Sequence, residues 1–164
     1  MMDGTGIGLS FVLLLALPSF AAAAEICPWI NSATAGGILG GAATIVTVKR
    51  AKTGDDATCN FTRRDGSLTL DLRIEVETMR SPGTDFATYL ARCHSAAVPL
   101  KAIGNAAIAC SSEGSDGQLA EQVVGRVRDH AFLVRIGTSD RSTRPSELRD
   151  KVRKIAEQVA GILF

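Results

Sequence analysis

"SLTLDLRIEVE", residues 67–77, is the stretch that decides the fold. Leu68, Leu70, Leu72, Ile74 and Val76 alternate strictly with Thr69, Asp71, Arg73, Glu75 and Glu77. A period of two belongs to a β-strand, whose successive side chains point to opposite faces. One face is apolar and the other polar, so the sheet is expected to be antiparallel and covered on one side. Asp65-Gly66 immediately before it is a hairpin signal, and "TCNFTRR" (58–64) is the partner strand. The β-branched "TIVTVKR" (44–50) is a third strand, set off by the turn "AKTGDDA".

The same reading extends both ways. Downstream, "PGTDFATYLARCHSA" (82–96) reads as a helix capped at Thr84, with Phe86, Tyr89, Leu90 and Cys93 on its inner face. "VPLKAIGNA" (98–106) reads as a loop, "AIACS" (107–111) as a short strand and "SEGSDG" (112–117) as an exposed loop. Two further strands, 119–128 and 131–139, meet at Asp129-His130, which makes His130 a turn residue. A final helix spans 144–164, with Pro145 in its first turn. Its apolar stripe is Leu148, Val152, Ile155, Ala156, Val159 and Leu163. Upstream, Ser32 is the expected cap of a short helix that stops at the glycine pair 40–41, with Trp29 and Ile30 packed over its start. The halves echo each other, with hairpins reading "RRDGSL" (63–68) and "VRDHAF" (127–132). The expectation is an α+β domain, α-βββ-α-βββ-α, with about six antiparallel strands covered on one face by helices.

Ahead of this unit lies "FVLLLALPSFAAAA" (11–24), too short an apolar run to make a stable membrane span. Ala22-Ala23-Ala24 offers an Ala-x-Ala cleavage site before Glu25, so residues 1–24 read as a secretory signal peptide and 25–164 as the mature domain. The first ten residues carry no Lys or Arg, an atypical n-region. Retention as a membrane anchor is the alternative, against which length and flanks argue. Glu25 and Ile26 before Cys27 do not make a lipobox. Cleavage removes one of the 17 acids, Asp3, and leaves 18 basic residues, a balance that gives no basis for nucleic-acid binding.

Cys27, Cys59, Cys93 and Cys110 are an even set in an exported chain, which reads as two disulfides. Four cysteines allow three pairings. Cys27–Cys59 and Cys93–Cys110 are favoured because each closes a local loop. A zinc site would need closely spaced Cys pairs, which are absent. Cys93 and His94 are adjacent, and neighbours on a helix point about 100° apart, so they aim poorly at one ion or as nucleophile and base. His94 is expected at an exposed helix end.

The glycine pairs 36–37 and 40–41 lack the Gly-Lys-Ser/Thr of a phosphate loop, and neither Gly-x-Ser-x-Gly nor His-Glu-x-x-His occurs. Lys151, Arg153 and Lys154 are interspersed with Glu147, Asp150 and Glu157, a solvated helix face rather than a membrane-binding one.

Taken in order, the Cys after the leader, the capped helix ending "ILGG", "CNF" before a hairpin, and "VPLKAIGNAAI" ahead of paired strands and a last helix carry a resemblance. The chain resembles a set of small secreted bacterial proteins and lipoproteins of unknown function, common in actinobacteria. Their middle loop typically reads "pv-x-glGdeA"; here Asn105 stands where an acid is usual. The resemblance implies export, a compact α+β domain and no established catalytic residues.

The functional expectation is an exported envelope protein, secreted or periplasmic, acting as a non-enzymatic module for an envelope ligand or protein. It would use the polar face Thr69–Glu77 or the groove between the halves. No cofactor, no nucleic acid and no membrane anchor after cleavage are expected. One alternative is an inhibitor of secreted enzymes working through the loop 111–117. The less favoured one is a hydrolase using Asp71, Glu75 and Glu77 as acid and base.

Overall fold

The computed structural model describes residues 26–50, 56–94, 97–113 and 117–164. The expected leader and its cleavage site lie outside these residues. No helix among the described residues is long and apolar enough to cross a membrane.

The chain runs α1 (Ser32–Leu39), β1 (Thr44–Arg50), β2 (Ala57–Asp65), β3 (Leu68–Thr78), α2 (Pro82–Leu90), β4 (Val98–Leu100), β5 (Ala106–Glu113), β6 (Leu119–Val127), β7 (His130–Thr138) and α3 (Pro145–Leu163). The seven strands among the described residues form one antiparallel sheet in the order β1-β2-β3-β7-β6-β5-β4. It consists of two meanders joined along their last strands, β3 against β7. The α+β class is as expected, and the described residues hold one strand more. β4 lies within the expected loop 98–106, where Val98, Pro99 and Leu100 pair with β5. Three residues containing a proline carry too little pattern to be read as a strand.

The alternation in β3 performs as its sequence predicts. Leu72, Ile74 and Val76 are buried in the main core with Phe61, Val134 and Ile136. α1 contributes Ala35 and Leu39 to this core, and α3 contributes Leu148, Val152, Ile155, Ala156 and Val159. The expected covering of one face by all three helices needs a correction. α2 packs on the opposite face, where Phe86 and Tyr89 join Met79, Val124, Ala131 and Leu133 in a second cluster. β6 and β7 are therefore buried on both faces.

The echo of the halves holds for the strands but not for the helices, since α1 and α2 lie on opposite faces. The hairpins are also offset. The β2–β3 turn is Gly66-Ser67, so Asp65 ends a strand, whereas the β6–β7 turn is Arg128-Asp129 and His130 opens β7. Arg128 has φ 54°, and its N–H donates to Asn105 Oδ1 at 2.6 Å. The residue at position 105 thus serves as an acceptor that closes a turn, a role an aspartate could also fill.

Three helix ends differ from expectation. Asn31, not Ser32, caps α1, accepting from the Thr34 N–H at 2.8 Å. α2 begins at Pro82 rather than after Thr84, and Asp85 Oδ2 accepts from the Ser81 N–H at 2.9 Å. α2 also stops at Leu90, six residues short of the expected end at 96, because Arg92 and Cys93 are drawn down to the sheet.

The disulfides are Cys27–Cys59 and Cys93–Cys110, as favoured, and no described cysteine is free. The first ties the segment before α1 to β2 on the α1/α3 face. The second ties the end of α2 to β5 on the other. Such bridges persist in oxidising surroundings rather than in the reducing cytosol.

Gly125 makes room for the central aromatic. A Cβ there would lie 2.3 Å from Phe132 Cζ, and Phe132 is fully buried. Gly125→Ala is expected to cost about 1–3 kcal/mol through overpacking, read as a lowered thermal midpoint. An unchanged midpoint would mean the ring can move aside and that the core there is loose.

Candidate binding cleft

The uncovered part of the α2 face holds a cavity of about 990 Å³. β7 places Arg135 at its floor, opposite Arg73 of β3 and Gln122 of β6 in register. The end of α2 supplies Arg92 and His94, and the segment between β7 and α3 supplies Arg141, Thr143 and Pro145. Ser112, Gln118 and Leu119 close it on the β5–β6 side.

Each wall is held by a specific set of contacts. Arg92 Nη1 donates to Glu75 Oε1 at 2.6 Å, and Arg73 Nη2 donates to Glu75 Oε2 at 2.7 Å. The Arg92 guanidinium also lies 4.3 Å from the centre of the Tyr89 ring. Tyr89 OH donates to Glu77 Oε2 at 2.8 Å. Gln122 Nε2 donates to the Arg92 carbonyl at 2.8 Å and lies 3.3 Å from Cys110 Sγ, so the disulfide and this amide together fix the 92–94 segment. On the far wall, Asp140 Oδ1 accepts from the Ser142 N–H at 2.8 Å and Oδ2 from Thr143 Oγ1 at 3.2 Å, shaping the turn that presents Arg141.

The charges at the site are biased accordingly. Burial pushes the Glu75 carboxyl up, but the hydrogen bonds and charges of Arg92 and Arg73 outweigh it and hold the group below the usual carboxylate range. Burial first, then the bond to Glu77 and the charge of Glu75, push the Tyr89 phenol well above its ordinary value. Burial and the charge of Arg73 lower Arg135, partly offset by Asp71. Arg135 Nε donates to Ser112 Oγ at 3.2 Å.

A depressed carboxyl binds its proton more weakly in the folded state than in the unfolded one. Its stabilisation is present above the unfolded value and is lost as pH falls through the lower folded value. Urea midpoints should therefore fall between about pH 5 and pH 3, and Glu75→Gln should flatten that slope. An identical slope in the variant would remove Glu75 from the acid response.

Of the polar face singled out in the sequence, Glu75 and Glu77 lie at the edge of α2, occupied by Arg92, Arg73 and Tyr89. Asp71 accepts from Thr62 Oγ1 at 2.7 Å. An ion-paired Glu75 held ionised is a poor general acid at neutral pH. Cys93 is bonded to Cys110, so it offers no thiolate beside His94. His94 is exposed and lines the cleft, whereas His130 lines a separate cavity with Trp29. Of the loop 111–117, Ser111, Ser112 and Gly117 line the cleft, and residues 114–116 lie outside the described chain.

Directly behind the cleft sits an ion pair the sequence reading missed. Glu121, 0% exposed, is gripped by Arg149 through Nε to Oε2 at 3.0 Å and Nη2 to Oε1 at 3.1 Å. Ser111 Oγ donates to Oε1 at 2.7 Å. Adjacent residues of β6 therefore face opposite ways, Glu121 toward α3 and Gln122 toward the cleft.

No protein-family model, no curated protein and no solved structure matches this chain.

Proposed function

We propose that this protein is a non-enzymatic ligand-binding module, exported to the cell envelope or beyond, and that the cleft beside α2 is where it receives its ligand. The observation carrying this reading is the cavity of about 990 Å³, walled by guanidinium, amide and hydroxyl groups with Leu119 and Pro145 as an apolar side. A concave site with a few convergent polar groups is the usual form of a small-molecule pocket. The two disulfides support export, since they suit an oxidising compartment. The resemblance to small secreted bacterial proteins points the same way.

Native mass spectrometry of the protein, exported from a bacterial host and purified without reductant, tests the reading. The expected mass lies about 4 Da below the all-thiol value, with a non-covalent adduct. Gln118→Trp, which fills the cleft from a half-buried position, should abolish the adduct without lowering the thermal midpoint. An adduct that survives Gln118→Trp, or no adduct together with no hit from a diverse fragment screen, would overturn it.

A further inference from the structure

We propose that the protein has a second, smaller binding site, a cavity at the end of α3 that takes a free apolar α-amino acid. Arg50 receives its carboxylate, Asp56 its ammonium, and Trp29 with Leu163 its side chain. This site goes beyond the cleft and does not depend on it.

Chain topology gathers the site. The β1–β2 ladder sets Arg50 opposite Ala57, and Asp56 directly precedes Ala57. The segment before α1 adds Pro28 and Trp29, and the last turn of α3 adds Ile162 and Leu163. His130 closes the cavity at the start of β7, with its Nδ1 3.0 Å from Asp129 Oδ1. The space between them is about 320 Å³, at the small end of the range for ligand pockets. Both charged groups are held in place by backbone or hydroxyl partners. Arg50 Nη2 donates to the Ile26 carbonyl at 2.5 Å, next to the Cys27–Cys59 bridge. Asp56 Oδ1 accepts from the Thr78 N–H at 2.6 Å and from Thr78 Oγ1 at 2.7 Å. Among the described residues neither Arg50 nor Asp56 has an ion-pair partner, and they do not pair with each other.

Opposite charges that line one cavity without pairing suit a ligand that carries both signs. A carboxylate matches the two-oxygen geometry of a guanidinium, and an ammonium donates to a carboxylate. A ligand of one sign would set its charge against the like charge of one of the two residues. Trp29 specifies the rest. It is 5% exposed and packs into the main core, yet its indole Nε1 has no hydrogen-bond partner among the described residues. A buried donor left unpaired is costly, and a ligand carboxylate oxygen is the acceptor it lacks. Trp29, Pro28, Ile162 and Leu163 offer an apolar side chain a surface to cover.

The test is NMR titration of the intact oxidised protein. Trp29 is the only tryptophan of the chain, so its indole N–H gives a single signal. Leucine and phenylalanine should move that signal downfield and saturably, together with the amide signals of Ala57 and Leu163. Three probes each lack one part of leucine: glycine the apolar part, leucinamide the carboxylate and isocaproate the ammonium. Each should bind at least about tenfold more weakly than leucine. Arg50→Gln should weaken leucine about tenfold and leave leucinamide unchanged. Asp56→Asn, whose Oδ1 can still accept from Thr78, should weaken leucine about tenfold and leave isocaproate unchanged. Thermal midpoints establish that both variants are folded.

Leucinamide binding as tightly as leucine would overturn the free amino acid and favour the N-terminus of a peptide. Isocaproate binding as tightly would overturn the role of Asp56, and glycine binding as tightly would overturn the apolar part. An unmoved indole signal beside shifted Ala57 and Leu163 amides would overturn the role of Trp29. No shift with leucine or phenylalanine would overturn the proposal outright. Gln118→Trp, which fills the cleft, should leave leucine binding unchanged, so this site and the cleft fail separately. Loss of leucine binding in Gln118→Trp but not in Arg50→Gln would move the amino acid to the cleft and overturn the second site.

Discussion

A strong dithiol reductant is expected to unfold this protein under conditions where the oxidised form is stable. The bridged cysteines are 32 and 17 residues apart, and the two loops do not overlap. In the chain-entropy model loops of these lengths stabilise by about 4 and about 3 kcal/mol. The bridges sit on opposite faces of the sheet and share no partner, so their contributions should add to about 7 kcal/mol. Small domains have only about 5–15 kcal/mol in total. Urea midpoints of the oxidised and reduced forms measure the sum, and the pairs Cys27→Ala/Cys59→Ala and Cys93→Ala/Cys110→Ala measure the parts. The first pair should cost more. Equal midpoints with and without reductant would show that packing alone holds the fold.

Arg149→Ala is the most damaging single substitution expected, at about 3–5 kcal/mol. It leaves the Glu121 carboxylate buried at 0% exposure with Ser111 Oγ beside it and the bidentate guanidinium gone. Arg149 itself is 43% exposed, so the pair is partly hydrated from one side and the loss should lie nearer the lower figure. The reverse truncation should be milder, because an orphaned Arg149 can turn toward water whereas an orphaned Glu121 cannot. Glu121→Met with Arg149→Met should recover most of the loss, since an apolar pair suits the site between β6 and α3. Chemical denaturation of the two single variants and the double variant closes the cycle. A double variant no more stable than Arg149→Ala would show that the pair also fixes the position of α3.

How far the sequence could be read depended on whether neighbours in the chain were neighbours in space. β3 was legible because its two faces have different surroundings along most of its length. α3 was legible because its stripe meets a single surface; Leu148, Val152, Ile155, Ala156 and Val159 are all buried as its period predicts. β6 and β7 are buried on both faces, so their pattern says strand but not which helix lies on which side. That is why the pattern alone does not place α2 on its own face of the sheet. Glu121 was legible in principle. It shares its face with Val123 and Val127, which are buried in the main core, and a charge at such a position calls for a partner. Nothing local says that the partner is Arg149, 28 residues away. The cleft was the least legible part. Arg92, Gln122, Arg135 and Arg141 come from four separate segments, and each alone reads as an ordinary polar residue.

The two borders of the sheet carry a consequence for how copies of this protein meet. β4 is three residues long and contains Pro99, which has no N–H to offer a newcomer. β1 breaks its register between Ile45 and Thr47 and ends in Lys49-Arg50, so a strand laid alongside would meet an irregular ladder and then two cations. Bulge, proline, brevity and terminal charge are the devices by which open sheets resist growth at their rims. Copies of this protein therefore meet at rims that oppose strand addition, so their sheets are built to resist extending one another into fibres.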